Sequence, residues 1–467
     1  MTSNAENIKN FLYKLENIKH PCKQIYSFAF EVEGIDFYKI FDRLENSENQ
    51  YFYSATPNES VKFLGFDFIL NISQLGGNRV EATAQKIREL ELNQVSNFSQ
   101  WGLKSVPLFL GGMKFSPESE GNLWNDFSDS EWFVPKLLLY KSELKNYVIY
   151  NFFVDELTIK EFEEYDSLLN FILSEEIKDN FNEECSIIET NFGSPEEKLK
   201  WMDQVTSALE QIRAGRFHKI VLSRMVETEL NCIPRFGKIS MELERLYPKC
   251  YIFVFKKNKS TFFGASPEKL AKISGGWVEA DALAGSIARG ADADEDKQLE
   301  SELLSSIKNI NEQKAVVEFI VNSFTDFSEE IQYEQAPIIR KLPNIQHLWT
   351  PIRAKLKANK SVLSILKDIH PTPAICGVPW TNALVSIKEM ETHSRGLFAG
   401  MVGWFNFENE GEFAVAIRSA LAKGKNIYAF AGCGIVEGSD PELEFKEAEL
   451  KLRPILTLFK NEEIYQS

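Results

Sequence analysis

The segment from Ile427 to Lys451, IYAFAGCGIVEGSDPELEFKEAELK, constrains the fold more than any other part of the chain. It begins with an apolar run of strand length, passes through a glycine-interrupted turn and ends in a helix rich in carboxylates. Ser439 or Asp440 can cap that helix, and Pro441 fits its first turn. The segment therefore predicts a strand, a turn and a helix in direct succession, so the fold must mix both kinds of element.

This helix places two carboxylates and one ammonium group on the same face. Glu444 and Glu447 are three residues apart, and Glu447 and Lys451 are four residues apart. Beside exposed N–H groups of Gly432 and Gly434, such a set suits a magnesium ion and an anionic ligand. An exposed helix with i,i+4 salt bridges explains the same spacing, and spacing alone favours that second interpretation.

Composition indicates a large globular protein and argues against several partners. The 467 residues are 44% hydrophobic and 12% aromatic, which is enough for a large buried core. With 52 basic and 68 acidic residues, the net charge of -16 argues against nucleic acid or an anionic membrane as the main partner. The N-terminus lacks a secretory signal pattern and no apolar run is long enough to span a membrane, so we expect a cytoplasmic protein.

The cysteines and histidines argue against a soft-metal site. The six cysteines are scattered without any C-x-x-C spacing, so we expect neither a zinc site nor a disulfide framework. Only five histidines are present, which argues against a multi-histidine metal site.

Segments with strand-like and helix-like patterns alternate along the chain, which indicates the α+β class. An acidic and polar stretch at 175–198 is the nearest feature to a linker, and the sequence divides near residue 190 around one central core. Helices are predicted at 196–214, at 296–324 and after residue 440. Strands are predicted at 24–32, 61–69, 107–114, 132–141, 146–154, 218–227, 250–256, 261–266, 400–406, 412–422 and 427–431.

Two residues are candidates for acid–base chemistry. Lys219 shares one face of a predicted strand with Val221 and Ser223, and burial there would lower its pKa and leave a neutral amine able to act as a base. In isolation, however, the pattern favours an edge-strand lysine that faces solvent. Glu268 follows a strand and a Ser-Pro turn, where apolar surroundings would keep its proton on the carboxyl. The alternative for Glu268 is a glutamate at the start of a helix.

Two further charged residues lie in apolar segments. Glu312 lies on a predicted helix whose other face is apolar, which by itself indicates a surface position. Arg418 lies in the middle of an apolar strand, where an unpaired charge is costly, so we expect a carboxylate partner. The small-residue segments ALAGSIARG and HPTPAICGVP would let the backbone approach a ligand.

The order and spacing of these segments resemble those of the chorismate-utilising enzymes, and within that family the isochorismate synthases. The first part of the chain matches more loosely, through LGFD, PLFLGG and WNDFSDSEWFVPKLLL. The specific segments are HKIVLSR, GASPEKL, ALAGSIARG, NEQ, QHL, HPTPAICGVP, GLFAGMVGW, AIRSA and GCGIVEGSDPELEFKE, between residues 218 and 447.

The resemblance implies an α+β fold of two large antiparallel sheets in a sandwich with helices outside. Residues 1–190 would form the N-terminal part of the sheet scaffold, and residues 191–467 the chorismate-binding catalytic region. A deep cleft would hold magnesium and chorismate, with Glu312, Glu444 and Glu447 as metal ligands. The implied substrate-binding residues are Gly285, His347, Thr372, Ala374, Ile375, Phe398, Arg418, Gly432, Gly434 and Lys451.

The implied reaction adds water at C2 of chorismate and removes the C4 hydroxyl, with Lys219 as the base and Glu268 as the acid. Family members that use ammonia lack a lysine at the position of Lys219, and aminodeoxychorismate synthases commonly carry a lysine where this chain has Ala284. Salicylate synthases resemble VTASG where this chain reads PAICG, so Ala374 and Ile375 favour isochorismate as the final product.

Four questions stay open at this point. The family often reads KDRxEH where this chain reads KNINEQ, so Asn309 replaces an acidic residue and metal affinity would be weaker. The alternative functions are a salicylate synthase and a non-catalytic relative that binds chorismate or a partner protein. The pathway can be menaquinone, siderophore or salicylate biosynthesis. We expect a monomer, with a dimer as the alternative.

Overall fold

A computed structural model describes most of the chain, and the part of the predicted linker before residue 185 lies outside the described residues. None of the helices that it describes is both long enough and apolar enough to cross a membrane. The described residues are 24–44, 50–59, 61–90, 92–117, 123–142, 145–153, 167, 169–170, 185–357 and 360–459.

The described residues form strands β1–β21 and helices α1–α10, besides a short 3-10 turn. The strands are β1 Gln24–Val32, β2 Tyr51–Ala55, β3 Val61–Gln74, β4 Asn93–Ser96, β5 Phe109–Met113, β6 Ser130–Ser142, β7 Lys145–Phe153, β8 Ile187–Thr190, β9 Lys219–Leu230, β10 Tyr251–Lys257, β11 Ser260–Ser266, β12 Lys269–Ser274, β13 Trp277–Ala288, β14 Ser328–Gln332, β15 Ile338–Lys341, β16 Ile345–Leu356, β17 Gly377–Val378, β18 Met401–Phe405, β19 Gly411–Val415, β20 Ser419–Lys423 and β21 Asn426–Val436. The helices are α1 Phe37–Leu44, α2 Arg79–Glu89, α3 Phe98–Trp101, α4 Pro195–Arg213, α5 Phe236–Leu246, α6 Ala293–Ser305, α7 Ile307–Thr325, α8 Val362–Ile369, α9 Trp380–Met390 and α10 Pro441–Leu456.

The strands form one hydrogen-bonded network that branches at β6 into two layers. One edge of β6 pairs with β3, and the other edge pairs first with β5 and then with β7. From β3 the first layer continues through β2, β10, β11, β20, β21 and β9. From β5 the second layer continues through β18, β19, β12, β13 and β16. All of these pairings are antiparallel, which confirms the predicted α+β class.

Aromatic side chains pack around Phe255 of the first layer, next to a polar contact between the layers. The ring of Phe255 on β10 lies 5.5 Å from that of Phe52, 5.1 Å from that of Phe127 and 6.2 Å from that of Phe133, measured between centroids. Each aromatic pair of this kind stabilises the fold by about 1 kcal/mol beyond the area that it buries. A buried hydrogen bond of 2.8 Å from the Tyr251 hydroxyl to Glu412 also joins the layers. These contacts hold the two layers face to face as a sandwich.

Strands from before and after residue 190 pair with one another. β2 pairs with β10, β5 pairs with β18, and β8 pairs with β9. The N-terminal strands thus complete both layers of the sandwich rather than forming a sheet of their own. The predicted boundary near residue 190 therefore remains a division of the sequence within one central core.

Two elements predicted as continuous are interrupted in the structure. The predicted helix 296–324 is two helices, because Ser306 adopts an extended conformation and caps α7 through the Asn309 N–H. The predicted strand 412–422 is two strands, β19 and β20. Since β19 belongs to the second layer and β20 to the first, residues 416–418 carry the chain from one layer to the other.

Gly432 and Gly434, which precede α10, lie within a strand rather than in a turn. β21 continues through Gly432 and Gly434 to Val436, in antiparallel register with β9. The turn is confined to the residues around Gly438, whose φ is +85°. Asp440 is the N-cap, since its carboxylate accepts hydrogen bonds from the Glu442 and Leu443 N–H groups. The predicted succession of strand, turn and helix is confirmed, with a longer strand and a shorter turn.

The expectation of no disulfide is wrong for one pair of cysteines. Cys185 and Cys232 are disulfide-bonded, although 47 residues separate them in the sequence. Cys185 lies just before β8, and Cys232 lies just after β9, so the pairing of these two strands brings the cysteines together. Sequence spacing carried no signal for this bond because the strand pairing is non-local.

Candidate active site

A cavity of about 700 Å³, partly open to solvent, lies between the two layers. Its walls come from β9 and β21 of the first layer and from β13 and β16 of the second, with α7 and α10 at one side. The predicted site residues that line the cavity are Glu268, Gly285, Glu312, His347, Ala374, Ile375, Phe398, Arg418, Gly432, Gly434, Glu447 and Lys451.

Three predicted site residues lie behind the walls of this cavity. Lys219 Nζ donates to Glu312 Oε1 at 2.9 Å, so this side chain touches a residue of the wall. The main-chain oxygen of Thr372 accepts a hydrogen bond of 3.1 Å from the Ile375 N–H and thereby supports the wall. The Thr372 hydroxyl has no hydrogen-bond partner among the described residues. Glu444, the third residue, belongs to the carboxylate group described below.

Lys219 begins β9, between β17 and β21, and its side chain is only 3% exposed. The alternative of an edge-strand lysine that faces solvent is therefore wrong. Glycine at position 434 makes room for the lysine and its partner, because a Cβ there would lie 2.6 Å from Glu312 Oε1 and 2.9 Å from Lys219 Cε. Gly434, the second glycine of the GCG segment, is thus needed because no larger side chain fits beside this pair. The sequence pattern did not reveal this requirement.

Glu268 lies between β11 and β12 and not at the start of a helix. Its N–H donates to Ser266 Oγ at 3.2 Å, and its carbonyl oxygen accepts from the Val415 N–H at 3.1 Å. The side chain is 3% exposed. Burial, and then the negative charge of Asp281, raise the pKa of Glu268 to about 8, against the opposing charges of nearby cations. Glu268 is therefore protonated at neutral pH and can act as an acid.

Arg418 has a φ of +52°, which non-glycine residues rarely adopt, and it is 5% exposed. The expected carboxylate partner is wrong: among the described residues, no carboxylate oxygen lies within 4.0 Å of its guanidinium. Arg418 Nη2 instead lies 3.2 Å from His347 Nε2. A buried guanidinium without a carboxylate at the wall of a cavity suits an anionic ligand.

His347 is a neutral acceptor for Arg418. Burial, and then the charge of Arg418, lower the pKa of His347 well below its usual value. Nδ1 lies 3.3 Å from the Gly285 oxygen and 3.0 Å from Ser286 Oγ. Because the Gly285 carbonyl can only accept, we assign the ring proton to Nδ1, which leaves Nε2 to accept from Arg418. The ring thereby fixes the direction of the guanidinium.

A β-bulge in the ALAGS segment brings Gly285 to the cavity. The register of β13 against β16 shifts between Ala284 and Ser286, and Gly285 has a φ of +70°. A Cβ at position 285 would lie 3.0 Å from Asn309 Cβ, so the glycine also lets α7 approach the strand. The Asn309 side chain donates to Ser306 Oγ at 2.9 Å. The effect of Asn309 on metal affinity stays a prediction.

Each of the three predicted metal ligands pairs with its own lysine. Lys219 pairs with Glu312 at 2.9 Å, Lys308 with Glu444 at 2.6 Å and Lys451 with Glu447 at 2.6 Å. Burial and the charge of Glu447 raise the pKa of Glu444. Burial acts to raise the pKa of Glu447, but the positive charges of Lys451, Lys308 and Arg418 together outweigh it, so the pKa is lowered. The charges of this region therefore balance locally.

The chemistry of this group fits a hard cation. The carboxylate oxygens of Glu444 and Glu447 and the sulfur of Cys433 lie within 4.8 Å of one another. Burial raises the pKa of the Cys433 thiol well above its usual value, so the sulfur stays protonated and is a poor ligand. Glu312 faces the same cavity as Glu447. Carboxylate oxygens that converge in this way suit magnesium rather than zinc.

The sequence model of chorismate binding enzymes matches this chain over residues 10–460. The chain belongs to this enzyme family. Isochorismate synthase MenF of Bacillus subtilis (strain 168) is 30% identical over 462 residues, which cover 97% of this chain and 96% of MenF. The salicylate biosynthesis isochorismate synthase of Pseudomonas aeruginosa is 40% identical over 259 residues, which cover 56% of this chain and 54% of that protein. The resemblance found in the sequence is thus confirmed at the level of the family.

The fold of this chorismate-binding enzyme matches a solved structure of the family. The menaquinone-specific isochorismate synthase MenF from Escherichia coli superposes with a TM-score of 0.77, covering 98% of this chain and 100% of that chain, at 22% identity. At this identity the likeness shows the fold alone. It confirms the predicted chorismate-utilising fold.

The structure of this chorismate-binding enzyme also adds a residue that the sequence analysis missed. Arg395 lines the cavity, and its guanidinium donates to the main-chain oxygens of Ile375 at 2.9 Å and Val221 at 2.6 Å. It is also held by Glu391 through hydrogen bonds of 2.6 Å and 2.9 Å. Arg395 therefore ties the Ala374–Ile375 wall to β9. The only signal in the sequence was a lone arginine before the apolar GLFAG segment.

Proposed function

We propose that this chorismate-binding enzyme is an isochorismate synthase, which adds water at C2 of chorismate and removes the C4 hydroxyl. The observation that carries the proposal is a cavity lined by a protonated carboxyl, Glu268, and by Glu312, with Lys219 bonded to Glu312 behind the wall. The names of the relatives from Bacillus subtilis and Pseudomonas aeruginosa, both isochorismate synthases, support the same reaction.

Cationic groups of the cavity would bind the substrate carboxylates. Arg418 is buried and oriented by His347, and Lys451 lines the same cavity, with Nζ 2.9 Å from the Gly432 oxygen. Although burial opposes it, the neighbouring Cys433 and Glu447 raise the pKa of Lys451 to about 12, so its ammonium group is charged at neutral pH. Two fixed cations would orient a dicarboxylate substrate before the reaction.

Acid and base would then act on opposite ends of one allylic displacement. Lys219 must first give the proton of its ammonium group to solvent, and as a neutral amine it would then take a proton from water as the water oxygen bonds to C2. The double bond shifts, the C4–O bond breaks, and Glu268 would give its proton to the leaving hydroxyl, which departs as water. Lys219 ends with one proton more and Glu268 with one proton less, and exchange with solvent restores both. The chain thus contributes both proton transfers.

We further propose magnesium as the cofactor, held by Glu312 and Glu447, with Glu444 binding directly or through water. When bound, the ion would supply positive charge beside the anionic substrate. The three carboxylates would orient it, and Gly434 leaves space beside Glu312. The cytoplasmic location and the monomeric state remain predictions.

A salicylate synthase is the alternative within the same cavity. That activity would eliminate pyruvate from isochorismate after the first reaction. Ala374 and Ile375 line the cavity, as expected for the positions that favour isochorismate as the final product. Relatives include both MenF and DhbC proteins, so the proposal ends at isochorismate and assigns neither the menaquinone nor the siderophore pathway.

The direct experiment is incubation of the purified protein with chorismate and magnesium, followed by chromatographic separation of the products. We expect isochorismate as the main product. Salicylate as the main product would support the alternative synthase. Tight binding of chorismate without any turnover would support a non-catalytic relative.

A further inference from the structure

Asp281 accepts a hydrogen bond from the peptide that follows Glu268, and it borders a cavity other than the substrate cavity. It belongs to β13 and is 4% exposed. Its Oδ2 accepts from Arg340 Nη1 at 3.0 Å and from the Lys269 N–H at 3.4 Å, and Lys269 is the residue after Glu268. The Asp281 side chain borders a second surface cavity rather than the substrate cavity. Asp281 therefore braces the peptide that positions Glu268.

The two carboxyl groups have different surroundings. Asp281 receives one guanidinium and one N–H donor. The hydrogen bonds of Glu268 within the described residues are made by its main chain. Donors stabilise the charged form of a carboxyl, so the two hydrogen bonds to Asp281 Oδ2 favour a charge there, although Oδ1 has no hydrogen-bond partner among the described residues.

The charges around Glu268 act in both directions. Those of Lys219, Arg340 and Arg418 favour its ionised form, and that of Asp281 favours its protonated form. The three cations would promote loss of the proton needed for the leaving hydroxyl. Burial and one negative charge must therefore outweigh them for the acid to work at neutral pH.

We propose that Asp281 is a positioning residue for the reaction, which keeps the proton on Glu268 by placing a fixed negative charge near it. This inference rests on the proposed function, because it assigns Glu268 the role of the acid. The role requires the charge of Asp281 and not merely its volume. A neutral side chain of the same shape would therefore release the proton of Glu268 at lower pH.

The test is the pH profile of kcat for Asp281→Asn in isochorismate formation. We expect the high-pH limb, which reports ionisation of the acid, to move down by about one pH unit. The KM for chorismate should change by less than about twofold, since Asp281 does not line the substrate cavity. Asp281→Glu restores the charge and should return the limb toward that of the wild type.

Glu279→Gln is the matched control. Glu279 also lies on β13 and borders the second cavity, but it pairs with Lys269 Nζ at 3.0 Å and is not among the charged groups that act on Glu268. Its removal should leave the high-pH limb in place. If Asp281→Asn does not fold, as judged by thermal unfolding, Asp281→Ser provides the same neutralisation with a smaller side chain.

Infrared spectroscopy separates this inference from the proposed function. The band of the protonated carboxyl that disappears in Glu268→Gln can be titrated in a protein of any activity. We expect this band to disappear at lower pH in Asp281→Asn than in the wild type. An unmoved band and an unmoved kinetic limb would overturn the role of Asp281. Absence of isochorismate from the wild-type reaction, with a shifted band, would overturn the proposed function alone.

Discussion

Lys219 Nζ lies 2.9 Å from Glu312 Oε1, so the proposed base is bonded to a proposed metal ligand. The two residues are 93 positions apart in the sequence, and β9 and α7 bring them together at Gly434. A single carboxylate thus connects the acid–base chemistry of this site with its metal chemistry. The predictions below separate these two roles.

Gly434→Ala should disturb both roles at once. A Cβ at this position would lie 2.6 Å from Glu312 Oε1 and 2.9 Å from Lys219 Cε, so at least one of the two side chains must move. We expect kcat/KM to fall by about 100-fold, the scale of a misplaced acid–base group. The control is Gly77→Ala, where the added Cβ meets nothing within 4 Å. Equal kinetics for the two variants would contradict the crowded geometry.

Removal of Arg418 should weaken recognition of the anionic substrate. Arg418→Ala removes a buried cation and should cost about 3 kcal/mol or more in kcat/KM. Arg353→Ala is a suitable control, because Arg353 is half exposed and stacks on Trp277 outside the cavity. Thermal unfolding should first establish that both variants fold. A near-normal kcat/KM in folded Arg418→Ala would assign the arginine a structural role.

Metal removal should stop turnover. Chelation by EDTA should abolish isochorismate formation and added magnesium should restore it, because the three carboxylates would have lost the ion that they orient. Glu447→Gln should weaken magnesium binding measured by calorimetry. Glu442→Gln is the control on the same helix, since Glu442 pairs with Lys198 at 2.7 Å instead. Full activity in metal-free buffer would remove the metal assignment.

The stability of the protein should report the proton on Glu268. Its pKa rises from an ordinary 4.5 to about 8 in the folded protein, mainly through burial. The folded state therefore binds this proton more tightly, and the stabilisation is complete below pH 4.5 and is lost as pH rises through 8. Glu268→Gln should lose less unfolding free energy than the wild type over this pH range, measured by urea denaturation. Parallel losses in both proteins would place the proton elsewhere.

Local elements of this fold were predictable from the sequence, and their connections were not. β1 has the predicted bounds, Gln24–Val32, because its apolar pattern and its flanking residues act locally. The break at Ser306 was missed because an apolar periodicity continues across it. The crossing at 416–418 depends on which strands flank β19 and β20, which a local pattern does not contain.

The same limit applies to the site. In isolation the sequence favoured a structural explanation for Lys219 and left two explanations open for Glu268, and only the resemblance to a family gave their roles. Where a carboxylate was expected near Arg418, the partner is His347, 71 residues away in the sequence. His347 lies on β16, opposite Ser286 at the bulge of β13. Asp281 carried no signal at all, since its significance depends on its hydrogen bond to the Lys269 N–H at the start of β12.

The most direct test of the account is turnover by Lys219→Ala, measured as isochorismate formed from chorismate with magnesium. The variant should still bind chorismate and magnesium in calorimetry, because Arg418, Lys451 and the carboxylates are unchanged. We expect kcat to fall by about 100-fold or more, the usual contribution of one acid–base residue. Wild-type turnover in a folded Lys219→Ala protein would contradict the proposed mechanism.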